Sequence, residues 1–324
     1  MNTPICHLRH ALTLTLAVGA LMLAAQGCAA AEAVCPPTAQ APTAEQAQAE
    51  MRAARDRGFL WRIARDGRVS YLYGTVHIAR VSWMFPGPQL AKALAASDTV
   101  ALELDMLDAD IQRRLAAGML AGPDDQVPPA LAARLHAQML AACVDADAFA
   151  KLAPIVQLAA LTTLAARWDG LDPAYAIDSF LAAFARGAGK PVVSLESPEL
   201  QIAVLKGDPQ TEQQTMAHDL EQLERGQTRP QLVRIAQVWA EGRADELARY
   251  EEWCDCVDTA ADRADLKRLL DDRNPALADS IAALHATGQR VFAAVGALHM
   301  IGPLGLPALL AQQGFTVERI DLTR

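Results

Sequence analysis

Two nine-residue stretches decide the fold: Val69-Ser70-Tyr71-Leu72-Tyr73-Gly74-Thr75-Val76-His77 and Val291-Phe292-Ala293-Ala294-Val295-Gly296-Ala297-Leu298-His299. Each is an apolar, β-favouring run that enters a Gly-x-x-His turn, with glycine and histidine at the same offsets. After the first come a helix, Gln89 to Ala96, started by Pro88, and a strand, Thr99 to Leu104, that delivers Glu103 and Asp105. After the second come a helix from Pro307 to Gln313, a capping Gly314, and a last strand, Phe315 to Ile320, followed by Asp321. The same β-turn-α-β unit is therefore expected twice.

Outward from these units the pattern continues. Phe59 to Ala64 reads as a strand, and Asp66-Gly67 turns it into a hairpin with Val69 to Tyr73. From about Asp108 to Asn274 apolar residues recur at spacings of three and four, which predicts helices. Inside that section Ala176 to Arg186 reads as a helix, and Pro191 to Leu195 as a short strand ending at Glu196. Asn274-Pro275 opens a helix to about Ala286, ahead of a strand from Arg290 to Val295. The expected class is mixed α/β: a central, largely parallel sheet built from two related β-GxxH-α-β units, with a mainly helical middle insertion.

In an open parallel sheet, ligands bind beyond the carboxyl ends of the strands. His77, Glu103, Glu196, His299 and Asp321 meet that condition, Asp321 with the weakest claim because a C-terminal acid is easily a surface residue. Imidazoles with carboxylates suit a divalent ion that keeps one position for water; such an ion supplies a nucleophile and leaves a carboxylate as general base. The plainer alternative is that each histidine caps a helix or bonds a carbonyl. Glu103 stands in the otherwise apolar run Val100 to Leu104, so it needs a partner, a metal or a raised pKa unless that strand face is an exposed edge. Asp178 is favourable in a first helical turn through the helix dipole alone. Arg273-Asn274 can serve as a helix start with Asn274 capping. His136, His218 and His285 read as structural or surface residues. Trp83, Met84 and Phe85 line either a groove or a packed loop.

The N-terminus addresses the compartment. Arg9 is the only charge before Glu32, and the apolar run Ala11 to Ala25 follows it. That order is a secretory signal, shorter than the ~20 residues of a membrane span. Ala24-Ala25-Gln26-Gly27-Cys28 resembles a lipoprotein cleavage box, which would lipidate Cys28; ordinary cleavage around Ala29 to Ala31 is the alternative. The expected layout is a signal over 1–28, a flexible tether over 29–50 and one domain over 51–324. The protein is expected in the periplasm or anchored to the cell envelope, with the membrane touched only through an N-terminal lipid. A net charge of -9 without a Lys/Arg cluster disfavours nucleic acid as a partner. Among the cysteines, Cys143 is expected to bridge to Cys254 or Cys256, which are too close in sequence to pair with each other; no second pair supports a thiolate zinc site.

The runs Tyr71 to His77, Ala101 to Leu104, Ala176 to Asp178, Ser194 to Gln201, Arg273-Asn274 and Val295 to His299 together resemble the TraB/GumN family, which includes the TIKI proteases. The resemblance spans about Phe59 to the C-terminus. It implies an α/β core with paired GxxH motifs and a metal-dependent protease activity, with manganese or cobalt as the ion; zinc is also compatible with the donors. It marks His77, Glu103 and His299 as catalytic, with Arg273 and Asn274 close by. The ligand set expected is His77, Glu103, His299, Glu196 and Asp178. The function expected is an exported metal-dependent hydrolase, peptidase-like, acting on a peptide or small-molecule substrate. The alternatives are a non-catalytic metal-, haem- or ligand-binding envelope protein, or an accessory protein of polysaccharide synthesis, although aromatic residues make up only 5% and show no sugar-binding cluster.

Overall fold

A computed structural model describes residues 34–123, 125–207, 212–254, 257 and 259–322. The signal and the cleavage box at Cys28 lie outside the described residues. Residues Cys35–Arg324 form one compact unit.

Six strands make one sheet: β1 Phe59–Arg65, β2 Arg68–Thr75, β3 Thr99–Leu102, β4 Val192–Ser194, β5 Val291–Gly296 and β6 Thr316–Ile320, in the order β4-β3-β5-β2-β1-β6. β4, β3, β5 and β2 pair in parallel, whereas β1 is antiparallel to both β2 and β6. The sheet is thus largely parallel, as the two repeated units require. The β1–β2 hairpin turns at Asp66 and Gly67, at φ 53° and 72°, the left-handed pair that a two-residue Asp-Gly turn needs.

β5 is uninterruptedly apolar because helices cover both faces of the sheet. Phe292 and Ala294 join Leu60, Tyr73, Val100 and Leu102 against Leu90, Leu94, Ile177 and Leu181. Val291, Ala293 and Val295 join Ile63, Leu72 and Ala101 against Leu277, Ile281, Leu306 and Leu310. Leu131, Leu135, Met139, Ile155, Leu158, Met216 and Leu220 form a separate core within the helical section.

The two GxxH turns leave the sheet side by side, since β2 and β5 are neighbours with Gly74 opposite Val295 and Thr75 opposite Gly296. A Cβ on Gly74 would stand 3.2 Å from Ala297 Cα and 3.3 Å from Met300 Cγ, so glycine lets the second turn pack on the first. Trp239, fully buried in the helix Thr228–Ala240, donates from Nε1 to Gly74 O at 2.7 Å. Trp239→Phe keeps an aromatic ring but leaves that carbonyl without its donor and opens a small cavity. The expected loss of stability is about 1–3 kcal/mol, read from urea denaturation; an unchanged midpoint would show that the bond does not hold the turn.

Three expectations are corrected here. The end of the expected tether is helical: Ala44–Arg52 is a helix, closed by a capping box between Thr43 and Gln46. Alanine and glutamine favour a helix without any apolar stripe, which is why periodicity missed it. Cys143 pairs with Cys35, not with Cys254 or Cys256, at a Cα–Cα distance of 5.7 Å; Cys254 is itself disulfide-bonded. Asp321 is exposed after β6, beyond β1. The antiparallel β1 inserted between β2 and β6 carries that strand end away from the others.

Candidate functional site

The site is assembled at the ends of β2, β3 and β5. Thr75, the last residue of β2, is buried and donates from Oγ1 to Asp178 Oδ1 at 2.5 Å. Asp178 lies in the first turn of the helix Ile177–Gly187, whose Ile177 N–H bonds Val76 O at 3.1 Å. With one oxygen held by Thr75, the other faces His77 Nδ1 at 2.7 Å. A carboxylate only accepts, so Nδ1 carries the proton and Nε2 is left for the solvent side.

His299 lies in the turn Ala297–Met300 and is 3% exposed. Its Nδ1 is 2.6 Å from Asn274 Oδ1, while Asn274 Nδ2 donates to Leu304 O at 2.9 Å. The second bond fixes the amide's orientation, so His299 Nδ1 is the donor and Nε2 the acceptor. Arg273 Nη1 approaches that Nε2 at 3.3 Å. Burial pushes the His299 pKa down to about 4, and the ring is neutral at neutral pH.

Glu103 follows β3 directly. Its Oε1 accepts from Gly296 N–H at 2.8 Å, and its Oε2 accepts from Arg273 Nη2 at 2.6 Å and Gln201 Nε2 at 3.3 Å. Burial alone would raise this carboxyl; His77, His299, Arg273 and the Gly296 N–H outweigh burial and hold it at about 2. Asp178 first, and then Glu103, raise the His77 pKa to about 9 against the opposing effect of burial. The His77 side chain is 65% exposed, so water screens part of that pull.

Glu196, expected as a ligand, is the partner of Arg273 instead. Its Oε1 accepts from Arg273 Nε at 2.9 Å, and its Oε2 accepts from Arg273 Nη2 and from Gln201 Nε2 at 3.1 Å. Its side chain is 2% exposed. Asp178 likewise has its oxygens engaged by Thr75 and His77, and Asn274 orients His299 rather than capping a helix. Asp105 pairs with Arg186 at 2.8 Å, a structural contact. His285 bonds Ser70 Oγ and Arg65 O, as a structural residue should. Trp83 stacks toward Trp239 and Phe85 toward Phe180, so that loop is packed, not a groove.

A cleft of about 330 Å³ opens on this constellation, lined by His77, Glu103, Asp178, Ser179 and Gln201 and, on an apolar wall, Leu104, Met106, Pro173 and Ala176. Arg273, Asn274, His299 and Glu196 form the buried backing and do not line it. Sequence reasoning missed Thr75, Ser179 and the apolar wall. Thr75 had a signal, a hydroxyl within the GxxH turn; the wall had none.

Gly296 is the centre of the cluster. A Cβ there would stand 3.3 Å from Glu103 Oε1, 3.5 Å from His299 Cδ2 and 3.7 Å from His77 Nε2. The glycine therefore leaves an open cradle bordered by both histidines and the glutamate. Both imidazoles have Nδ1 committed to an oxygen; His299 Nε2 is an acceptor, whereas His77 at neutral pH carries a proton on Nε2 that a metal would displace. Glu103 and Glu196 pair with Arg273, and Asp178 pairs with His77, so three carboxylates meet two cationic partners. Arg273 already holds His299 Nε2 and Glu103 Oε2, and among the described residues no three side chains stand in a ligating arrangement. The donors that border the cradle of Gly296 are His77 Nε2 and Glu103 Oε1, and His299 Nε2 is taken by Arg273. A haem between the imidazoles fits poorly, because His299 does not reach the cleft.

No curated protein and no solved structure matches the chain. A family profile does: that of the TraB/PrgY/gumN family matches residues 59–319, from the first residue of β1 into β6 and across every residue of the cleft. The chain belongs to the TraB/PrgY/gumN family.

Proposed function

We propose that this protein is an exported hydrolase, peptidase-like, which uses one divalent ion in the cleft beside His77. The observation that carries the reading is the convergence of His77 Nε2 and Glu103 Oε1 on the cradle of Gly296, each fixed from behind. When bound, the ion supplies Lewis-acid polarisation and a nucleophilic water at neutral pH. Thr75 and Asp178 keep the His77 ring in one orientation. Glu103, held well below the ordinary carboxylate range, stays an anion and is too weak a base to take a proton from water. Its part is to anchor the ion. Arg273, bound through Nε and Nη2 to Glu196, keeps Glu103 from turning away.

Leu104, Met106, Pro173 and Ala176 exclude water from one side of the cleft, and Ser179 and Gln201 offer hydrogen bonds to an extended substrate. Export is supported by the disulfide between Cys35 and Cys143, a bond typical of oxidising compartments and rare in the cytosol. Among the described residues no helix is long and apolar enough to cross a membrane; a lipid on Cys28 is the proposed anchor. The test is cleavage of a mixed peptide library with added manganese, followed by mass spectrometry. The parent should cleave and lose activity in EDTA, and His77→Ala should be at least about a hundredfold slower. Equal cleavage with manganese and with EDTA would defeat the metal-dependent reading.

A further inference from the structure

The helical section holds a second cavity of about 340 Å³, and no residue of the His77 cleft lines it. Its walls come from the helices Pro154–Leu164, Glu212–Glu224, Thr228–Ala240 and Ala260–Leu269. One side is apolar, made by Ile155, Ala159 and Leu266, and polar side chains such as Gln222 face it from other helices. The charged residues around it are unequally matched. Lys206 pairs with Asp125, Arg268 pairs with Asp265 through Nη2 at 2.8 Å while its Nη1 is buried without a partner among the described residues, and Asp262 is engaged by Thr259 N–H at 2.8 Å. Asp219 has no hydrogen bond or ion pair among the described residues. Burial, with Asp265 and Asp262 adding to it and His218 opposing, pushes its carboxyl up to about 6, so at neutral pH it is mostly an unmatched anion.

A second acceptor stands beside it. Gln222 Oε1 is buried with no partner, and Gln222 follows Asp219 by three positions on the same helix, so both acceptors share a face. An unmatched carboxylate and an unmatched amide oxygen both require donors, and a buried acceptor left without one is costly. An ammonium group has three donors and no acceptor.

We propose that this cavity binds a small amphipathic amine, with its ammonium between Asp219 and Gln222 and its alkyl or aryl body against Ile155, Ala159 and Leu266. The size is that of an ordinary small-molecule site. The site is independent of the hydrolase reading, since it shares no residue with the cleft. Calorimetric titration of the full chain with hexylamine, and with hexanol as the uncharged counterpart, tests it. Hexylamine should bind saturably at one site per chain, and hexanol at least about tenfold more weakly. Asp219→Asn should weaken hexylamine binding about tenfold or more with an unchanged urea midpoint. Thr162→Met, which narrows the cavity from the helix Pro154–Leu164, should weaken it too and decides the matter if the first variant fails to fold. No saturable binding, equal binding of amine and alcohol, or amine binding untouched by the substitutions would each overturn the proposal.

Discussion

Glu103→Gln should leave a folded protein that binds manganese about 10- to 100-fold more weakly and cleaves peptides slower by two or more orders of magnitude. The amide keeps the shape of the side chain, and its oxygen can still accept from Gly296 N–H. Its other end becomes a donor facing the donors of Arg273 and Gln201, where the carboxylate accepted at 2.6 and 3.3 Å. Arg273 keeps both bonds to Glu196, so the expected cost to stability is about 1–3 kcal/mol and the fold survives. The charge that anchors the ion is gone. Thermal unfolding, manganese titration and peptide cleavage of the two forms side by side give the result. Cleavage equal to the parent's would remove Glu103 from the mechanism.

The largest effect on stability is expected from the disulfide. It joins residues 108 positions apart, a loop that contains β1, β2, β3, His77 and Glu103. In the chain-entropy account, closing a loop of this size stabilises the folded state by about 4–5 kcal/mol. The paired substitution Cys35→Ser with Cys143→Ser should lose about that much, read from urea denaturation under non-reducing conditions. A loss below about 1 kcal/mol would mean that the N-terminal segment is held by its other contacts. Those contacts include Tyr175 with the backbone of Gln40.

The sheet was legible because burial on both faces writes itself as uninterrupted apolar runs, and the repeated glycine–histidine offset showed that two such runs are equivalent. Their adjacency in β2 and β5 brought His77 and His299 together, and the rule about strand ends placed Glu103 beside them. The rule says where carboxylates gather but not which are already paired. That is why Glu196, consumed by Arg273, and Asp178, consumed by Thr75 and His77, were expected to face the ion. Arg273 itself was read as a helix start because spacing does not reveal where a long side chain reaches. Asp321 was placed with the others because the sequence does not show β1 entering between β2 and β6. Cysteine pairing was illegible for a similar reason: spacing alone does not choose a partner.

The most direct test of the central claim is the metal content of the purified protein, determined by elemental analysis after gel filtration in manganese-supplemented, chelator-free buffer, beside that of the His77→Ala, His299→Ala double variant. One divalent ion per chain in the parent and essentially none in the folded double variant is the predicted result. A parent without bound metal, or a double variant that retains the full complement, would contradict a shared metal site.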